Sequence, residues 1–272
     1  MNLSTEIKEA YEYLAERTSY RPTIGIILGT GYDPLAAMIS NPEQYRYCDI
    51  PHFPTPSVEG HEGTLIFGKI DDKEVVIMKG RCHCYEGYSP SVVTIPVRVM
   101  KLLGVETIII TNCSGQANES IQEGDIFVIH NHLNFSGYNP LVGKNLDEFG
   151  ERFPDLAYPY DANYINKAME IAKRENINLK KGIYAMFSGP SYETVAETFM
   201  AAKLGADIVG MSTVPEVIAA NHCGMKVLAL SGVPCLAAAY SDQEITHEQV
   251  LRNCKSIAEK AMIIIRQFIK ER

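Results

Sequence analysis

The sequence has no apolar run approaching the roughly 20 residues that a membrane span needs, and its opening stretch, MNLSTEIKEAYEYLAERT, has no apolar core of the secretion-signal kind. Both absences lead to the expectation of a soluble, cytoplasmic protein. Basic runs are missing too: 25 lysines and arginines lie scattered among 33 aspartates and glutamates, for a net charge of -8. General electrostatics therefore gives no support for nucleic-acid binding, and an anionic ligand would need a local site. Seven cysteines are an odd number without a secretion signal, so reduced thiols are expected rather than a disulfide framework. There is no Pro/Gly/Ser-rich linker, internal repeat or low-complexity tract. With 46% hydrophobic and 21% charged residues, the chain can bury a sizeable core, and one domain over residues 1–272 is the expectation.

What is present is an alternation of elements. Ile7, Tyr11 and Leu14 fall at helical spacing. A buried strand follows at 23–28, ending in the glycine turn Gly29-Thr30-Gly31, and TLIFGKI (64–70) and EVVIMKG (74–80) flank Asp71-Asp72 as a hairpin. The stretch 91–105 reads as a helix despite Pro96, leading into a strand at 107–112. Further strands are predicted at 124–130, 182–189, 206–212 and 225–232, with helical stretches between several of them, which argues for an α/β sheet. The last helix has the clearest start: Thr246 as N-cap, Gln249 three residues on, and Ile245 with Val250 as a staple, so that His247 lies in its first turn.

The stretch Gly80-Arg-Cys-His-Cys-Tyr-Glu-Gly-Tyr88 raises two chemistries, metal and anion. In an extended segment Cys82 and Cys84 point to one face and His83 to the other, while Cys48, Cys113 and Cys223 lack paired spacing. No metal site is expected. The same alternation puts Arg81, His83 and Tyr85 together, where a guanidinium fork, an imidazole and a phenol serve an oxyanion. Alternatively, Arg81 pairs with a surface carboxylate and His83 is merely packed. Gly29-Thr30-Gly31 exposes backbone N–H groups and a hydroxyl as phosphate-cradling turns do, although Pro34 stands where a dinucleotide fingerprint has its third glycine. Strand ends at Thr111-Asn112-Cys113-Ser114-Gly115 and Gly210-Met211-Ser212-Thr213 gather more small polar groups, as ligand sites of α/β proteins do. Ordinary turn chemistry would account for each of them taken singly.

Taken in order, Gly29-Thr-Gly31, Gly60-His-Glu-Gly63, Gly80-Arg-x-His-x-Tyr-Glu-Gly-Tyr88, Thr111-Asn112, Asn139-Pro-Leu141, Ser188-Gly-Pro-Ser-Tyr-Glu-Thr194 and Gly210-Met-Ser-Thr-Val-Pro-Glu216 resemble the motifs of the trimeric purine nucleoside phosphorylases, from about residue 20 to 270. The resemblance implies one α/β domain with a central mixed, partly barrel-like sheet flanked by helices, assembled as a homotrimer. It implies phosphorolysis: inorganic phosphate, a co-substrate with no further cofactor, attacks C1′ of a purine nucleoside and releases the base. Such a reaction needs an anion held below the sugar and stabilisation of negative charge on the departing base.

Carried over position by position, Thr30, His61, Arg81, His83, Ser212 and the backbone N–H of Cys113 match the phosphate set. Tyr85, Met211 and His247 match ribose contacts, and Phe153 matches the aromatic that a neighbouring subunit lends to the sugar. Tyr192 and Glu193 match base contacts, and His83, Glu193 and Asn112 are the positions expected to bear on catalysis. Two departures stand out. Cys113-Ser114-Gly115-Gln116 replaces the family's Ala-Ala-Gly-Gly, and Gln116 forces a different turn if that position needs positive φ. Val233-Pro234-Cys235-Leu236 stands where 6-oxopurine enzymes have a Thr-Asn pair, so the nearest base-side groups are Cys235 and Asp242. Loss of the asparagine contact would cost on the order of 10²- to 10³-fold in rate. Two activities stay open: a phosphorylase for guanosine or inosine, with 6-aminopurine nucleosides or methylthioadenosine as the alternative, and a phosphate- or nucleoside-binding relative with little turnover.

Overall fold

The computed structural model describes residues 2–234 and 247–272, apart from the side chains of 247–252 and 255. The opening periodicity becomes α1 (Leu3–Ala15), capped by the Asn2 side chain, with Ile7, Ala10 and Leu14 buried. β1 (Ile24–Ile27) is apolar and buried along its whole length, as a strand covered on both faces must be. β2 (Ser40–Arg46), SNPEQYR, is polar and mostly exposed at one edge, so no apolar alternation announces it. β3 (Thr64–Ile70) and β4 (Lys73–Lys79) form the expected antiparallel hairpin, with Asp71 at φ 53 in its turn.

The helix expected over 91–105 is two helices, α2 (Pro90–Val93) and α3 (Ile95–Leu102), because Pro96 is tolerated only in a first turn. Then come β5 (Thr107–Cys113), the two-residue β6 (Gly115–Gln116), β7 (Ile126–Asn134) and α4 (Ala162–Arg174). β8 (Leu179–Met186), α5 (Val195–Lys203), β9 (Ile208–Gly210), α6 (Val214–His222) and β10 (Lys226–Gly232) complete the alternation. α7 (His247–Lys270) begins at His247, whereas Ile245 and Thr246 lie outside the described residues, as do the side chains of Gln249 and Val250. No helix among the described residues is long and apolar enough to cross a membrane.

All ten strands form one mixed sheet in the order β2-β3-β4-β1-β5-β10-β7-β8-β9-β6. β4, β1, β5 and β10 run parallel; β7, β8 and β9 are parallel to one another and run the other way. β6 continues from β5 after only Ser114, yet pairs antiparallel with β9 in the register Gly115↔Val209. The far edge of the sheet is thus tied back to its middle, and β5, β10, β7, β8 and β9 curl into the expected barrel-like closure. That seam brings the end of β9 alongside the end of β5.

The core runs through the parallel half, where Ile26 sits between Ile77 and Ile109. The close approach of β1 to β5 continues beyond the strands, because a Cβ on Gly29 would stand 2.5 Å from the Thr111 carbonyl oxygen. Only glycine fits there. The thiols depart from expectation in one respect: the sulfurs of Cys113 on β5 and Cys254 on α7 meet as a disulfide-type pair, while Cys82, Cys84 and Cys223 are buried and free and Cys48 is exposed and free. Since Ile109 is fully buried, Ile109→Ala is expected to lower stability by about 2 to 5 kcal/mol. The check is a lower denaturant midpoint at unchanged slope.

Candidate active site

One cavity opens at the ends of β1, β4, β5, β9 and β10, where α/β sheets gather ligands. Thr30 enters from the turn after β1, His61 from the loop before β3, Arg81, His83 and Tyr85 from the segment after β4, and Asn112, Cys113 and Ser114 from the end of β5. Met211 and Ser212 follow β9, Tyr192 and Glu193 lie between β8 and α5, and Pro234 follows β10. Phe153, 86% exposed, lies outside this cavity. Cys235 and Asp242 lie outside the described residues, and so does the side chain of His247.

Side-chain alternation holds from Arg81 to His83 and then stops, because the chain tightens into a 3-10 turn at Cys84–Glu86. Tyr85 stays on the cavity side by stacking on His83, with ring centroids 4.7 Å apart and planes 10° from parallel. Cys82 and Cys84 pack behind against Val93.

Arg81 is almost fully buried. Its Nη1 donates to Glu216 Oε1 at 3.3 Å and to Thr213 Oγ1 at 3.4 Å, and its Nη2 donates to the carbonyls of Ile27 and Thr111. The carboxylate is a buried one, not the surface partner of the alternative reading. The expectation of a free bidentate fork is also corrected: both terminal nitrogens hold protein groups, and Nε is the guanidinium nitrogen without a partner among the described residues.

The two histidines are oriented by what they touch. His61 Nδ1 accepts the Arg81 backbone N–H at 3.1 Å, which assigns the ring proton to Nε2 and points it at Thr30 Oγ1, 3.3 Å away. The Thr30 hydroxyl, accepting there, keeps its own proton for another partner. His83 donates Nδ1–H to Glu86 Oε1 at 3.0 Å, and the same oxygen accepts the His83 backbone N–H at 2.7 Å. Burial alone would raise the Glu86 carboxyl, but hydrogen bonds from His83 and Ser57 outweigh it and bring it down to about 2.

At the other end of the cavity, burial raises the Glu193 carboxyl above its ordinary range, and Oε1 has no partner among the described residues. Tyr192 is 44% exposed beside it. The Ser114 hydroxyl is bonded to Ser231 Oγ at 2.8 Å. Gln116 lies in β6 without positive φ, so its replacement of a glycine imposes no new turn. The buried Oε1 of Gln116 has no partner among the described residues.

Four residues of this arrangement went unassigned in the sequence. Glu86 had a signal, since an acid three residues after His83 is the spacing of a capping box. Glu216 sits in the first turn of α6, but nothing local in the sequence shows that it meets Arg81, 135 positions away. Tyr184 on β8 accepts the Ser212 N–H at 3.2 Å, again a long-range contact. Thr213 joins Arg81 and Asn112 through Oγ1 while holding φ 76. Backbone strain of this kind costs about 1 to 3 kcal/mol and has no counterpart in residue type.

Comparison with known proteins identifies the family. The family model described as the phosphorylase superfamily matches residues 23–270. Purine nucleoside phosphorylase 1 of Bacillus subtilis is 44% identical over 269 residues, covering 99% of each chain. The purine nucleoside phosphorylase of Rattus norvegicus is 44% identical over 256 residues, covering 92% of this chain and 89% of that protein. Among solved structures, Schistosoma mansoni purine nucleoside phosphorylase in complex with inosine superposes with a TM-score of 0.93 at 39% identity, over 98% of this chain and 96% of that one. The same fold, spanning nearly the whole length at such identity, means that this chain belongs to the phosphorylase superfamily and, within it, to the purine nucleoside phosphorylases.

Proposed function

We propose that this chain catalyses the phosphorolysis of purine nucleosides, with guanosine and inosine as its first substrates. A phosphate oxygen attacks C1′ as the C1′–N9 bond breaks; the bonding pair leaves with the purine, which takes a proton from solvent, and ribose 1-phosphate remains. The observation that carries this reading is a single cavity lined at once by Thr30, His61, Arg81, His83 and Ser212 and by Glu193. The first group, with the Cys113 backbone N–H, holds phosphate. Tyr85 and Met211 contact the ribose, Tyr192 packs on the base, and His247, whose side chain lies outside the described residues, is proposed for the 5′-hydroxyl. Asn112 holds the junction between phosphate and base, and no cofactor takes part.

Glu193 sets the base preference in this reading. An ionised carboxylate accepts the N1–H that guanine and hypoxanthine possess, whereas neutral adenine presents an acceptor there. A specific observation keeps the 6-amino alternative in play: Pro234, which lines the cavity, brings neither a side-chain donor nor an N–H. A Schistosoma mansoni relative, 39% identical, has been solved with adenosine. We also propose a homotrimer in which Phe153 completes a neighbour's sugar pocket, a role that suits an aromatic 86% exposed on its own subunit.

Phosphate-dependent release of base from inosine or guanosine by the purified protein is the expected result; no release from any purine nucleoside, adenosine and methylthioadenosine included, would sink the enzyme reading. Arg81→Ala is expected to weaken phosphate by about 10- to 100-fold while leaving base binding far less affected. Because it strands buried Glu216, the double variant Arg81→Ala/Glu216→Gln is measured beside it, and equal loss of phosphate and base in both counts against the assignment.

The raised Glu193 pKa has a definite sign. The accepting carboxylate exists above that pKa and is lost below it, so KM for inosine climbs as pH falls, from a pH above the ordinary glutamate value of 4.5. Glu193→Gln is expected to flatten that limb. Exchanging Pro234-Cys235 for Thr-Asn is expected to raise oxopurine turnover, by up to about 10²-fold, in steady-state assays.

A further inference from the structure

Thr213 stands at the entry to α6 with φ 76 and ψ -48, and the Val214 N–H donates to the Ser212 carbonyl at 2.8 Å. Together these make a γ-turn of the rare, strained hand with Thr213 at its centre. A β-branched residue is a poor fit to positive φ, and strain of this kind persists where the surroundings hold it for a purpose. The purpose is legible in the side chain. Thr213 Oγ1 receives Asn112 Nδ2 at 2.7 Å and Arg81 Nη1 at 3.4 Å, and lies 3.2 Å from Ser212 Oγ.

An amide NH2 and a guanidinium can only donate, and a hydroxyl oxygen has two lone pairs and one proton. The two incoming bonds fill both lone pairs, so the Thr213 proton has Ser212 Oγ as its acceptor. Ser212 then keeps its own proton for a further partner. Its backbone N–H is given to Tyr184, which its hydroxyl also bonds within the protein, and its side chain lines the cavity. We infer that Thr213 is a positioning residue: through the γ-turn and its two fixed donors, it orients the Ser212 hydroxyl to donate into the cavity, toward a phosphate oxygen. The inference rests on the phosphorolysis reading for the identity of the anion; the direction of the Thr213 proton follows from the donors alone, and for the Ser212 proton phosphate takes the place of Tyr184 as acceptor.

Three substitutions of Thr213, one of them repeated in a Ser212→Ala background, test it, with inorganic phosphate as the probe in calorimetry and as the varied substrate in kinetics. Thr213→Val removes the hydroxyl at constant shape and is expected to weaken phosphate about tenfold in both Kd and KM, with little change in nucleoside KM. Thr213→Ser restores the hydroxyl and is expected to restore most of that affinity. Thr213→Gly relieves the positive φ but also gives up the hydroxyl to which Asn112 and Arg81 donate, so it is expected to lose phosphate as Val does while melting no lower than Thr213→Val. In a Ser212→Ala background the Thr213→Val penalty should shrink, because the group it acts through is gone.

Unchanged phosphate affinity in Thr213→Val or Thr213→Gly would overturn the inference, as would a serine variant no better than valine, or an undiminished penalty without Ser212. If Thr213→Val does not fold, the glycine variant carries the comparison. Calorimetry with phosphate alone reads the inference whether or not base is released, so its failure is distinguishable from failure of the activity.

Discussion

The guanidinium of Arg81 is buried beside the Glu216 carboxylate, and a cation in such a place survives only where a counter-charge and acceptors surround it. Its acceptors are the Ile27 and Thr111 carbonyls and the Thr213 hydroxyl. One side chain therefore pins the end of β1, the end of β5 and the start of α6 to the segment that leaves β4. His83, Tyr85 and Asn112 are located relative to one another through these ties, and so is the turn that carries Ser212. Removal of the carboxylate would leave the charge unpaired and loosen all of these segments together.

This arrangement also decides how the cavity can attract an anion. Arg81 is matched by Glu216, and His83 is held against Glu86, which its hydrogen bonds keep ionised. The cavity therefore carries no surplus of positive charge, in keeping with a chain whose net charge is -8. In the proposed reading, affinity for phosphate comes from oriented donors at short range rather than from a positive field, and so from the placement of hydroxyls and N–H groups.

Much of this was legible before the fold was known, wherever the signal is local. The buried strands follow from continuous apolar runs, the 64–80 hairpin from the Asp71-Asp72 turn between two of them, and the shared face of Arg81 and His83 from period-two alternation. Polar β2 and two-residue β6 have no such pattern to read. The Arg81–Glu216 pair, the Tyr184 contact and the seam between β6 and β9 join positions far apart in the chain, and a single sequence carries no mark of them. Thr213 is different again: residue type argues against the conformation it adopts, and only contacts made by the folded protein hold it there.

The seam has an evolutionary side. Between Asn112, bonded to Thr213, and Gly115, paired with Val209, there are only two residues. Side chains may vary here, and the chain indeed reads Cys113-Ser114-Gly115-Gln116. Length may not, because β10 fixes Asn112 opposite Ser231, and one residue more or less would flip the pleat at Gly115 and break its pairing with Val209. Natural variation at this stretch should therefore take the form of substitutions, with gaps confined to loops elsewhere.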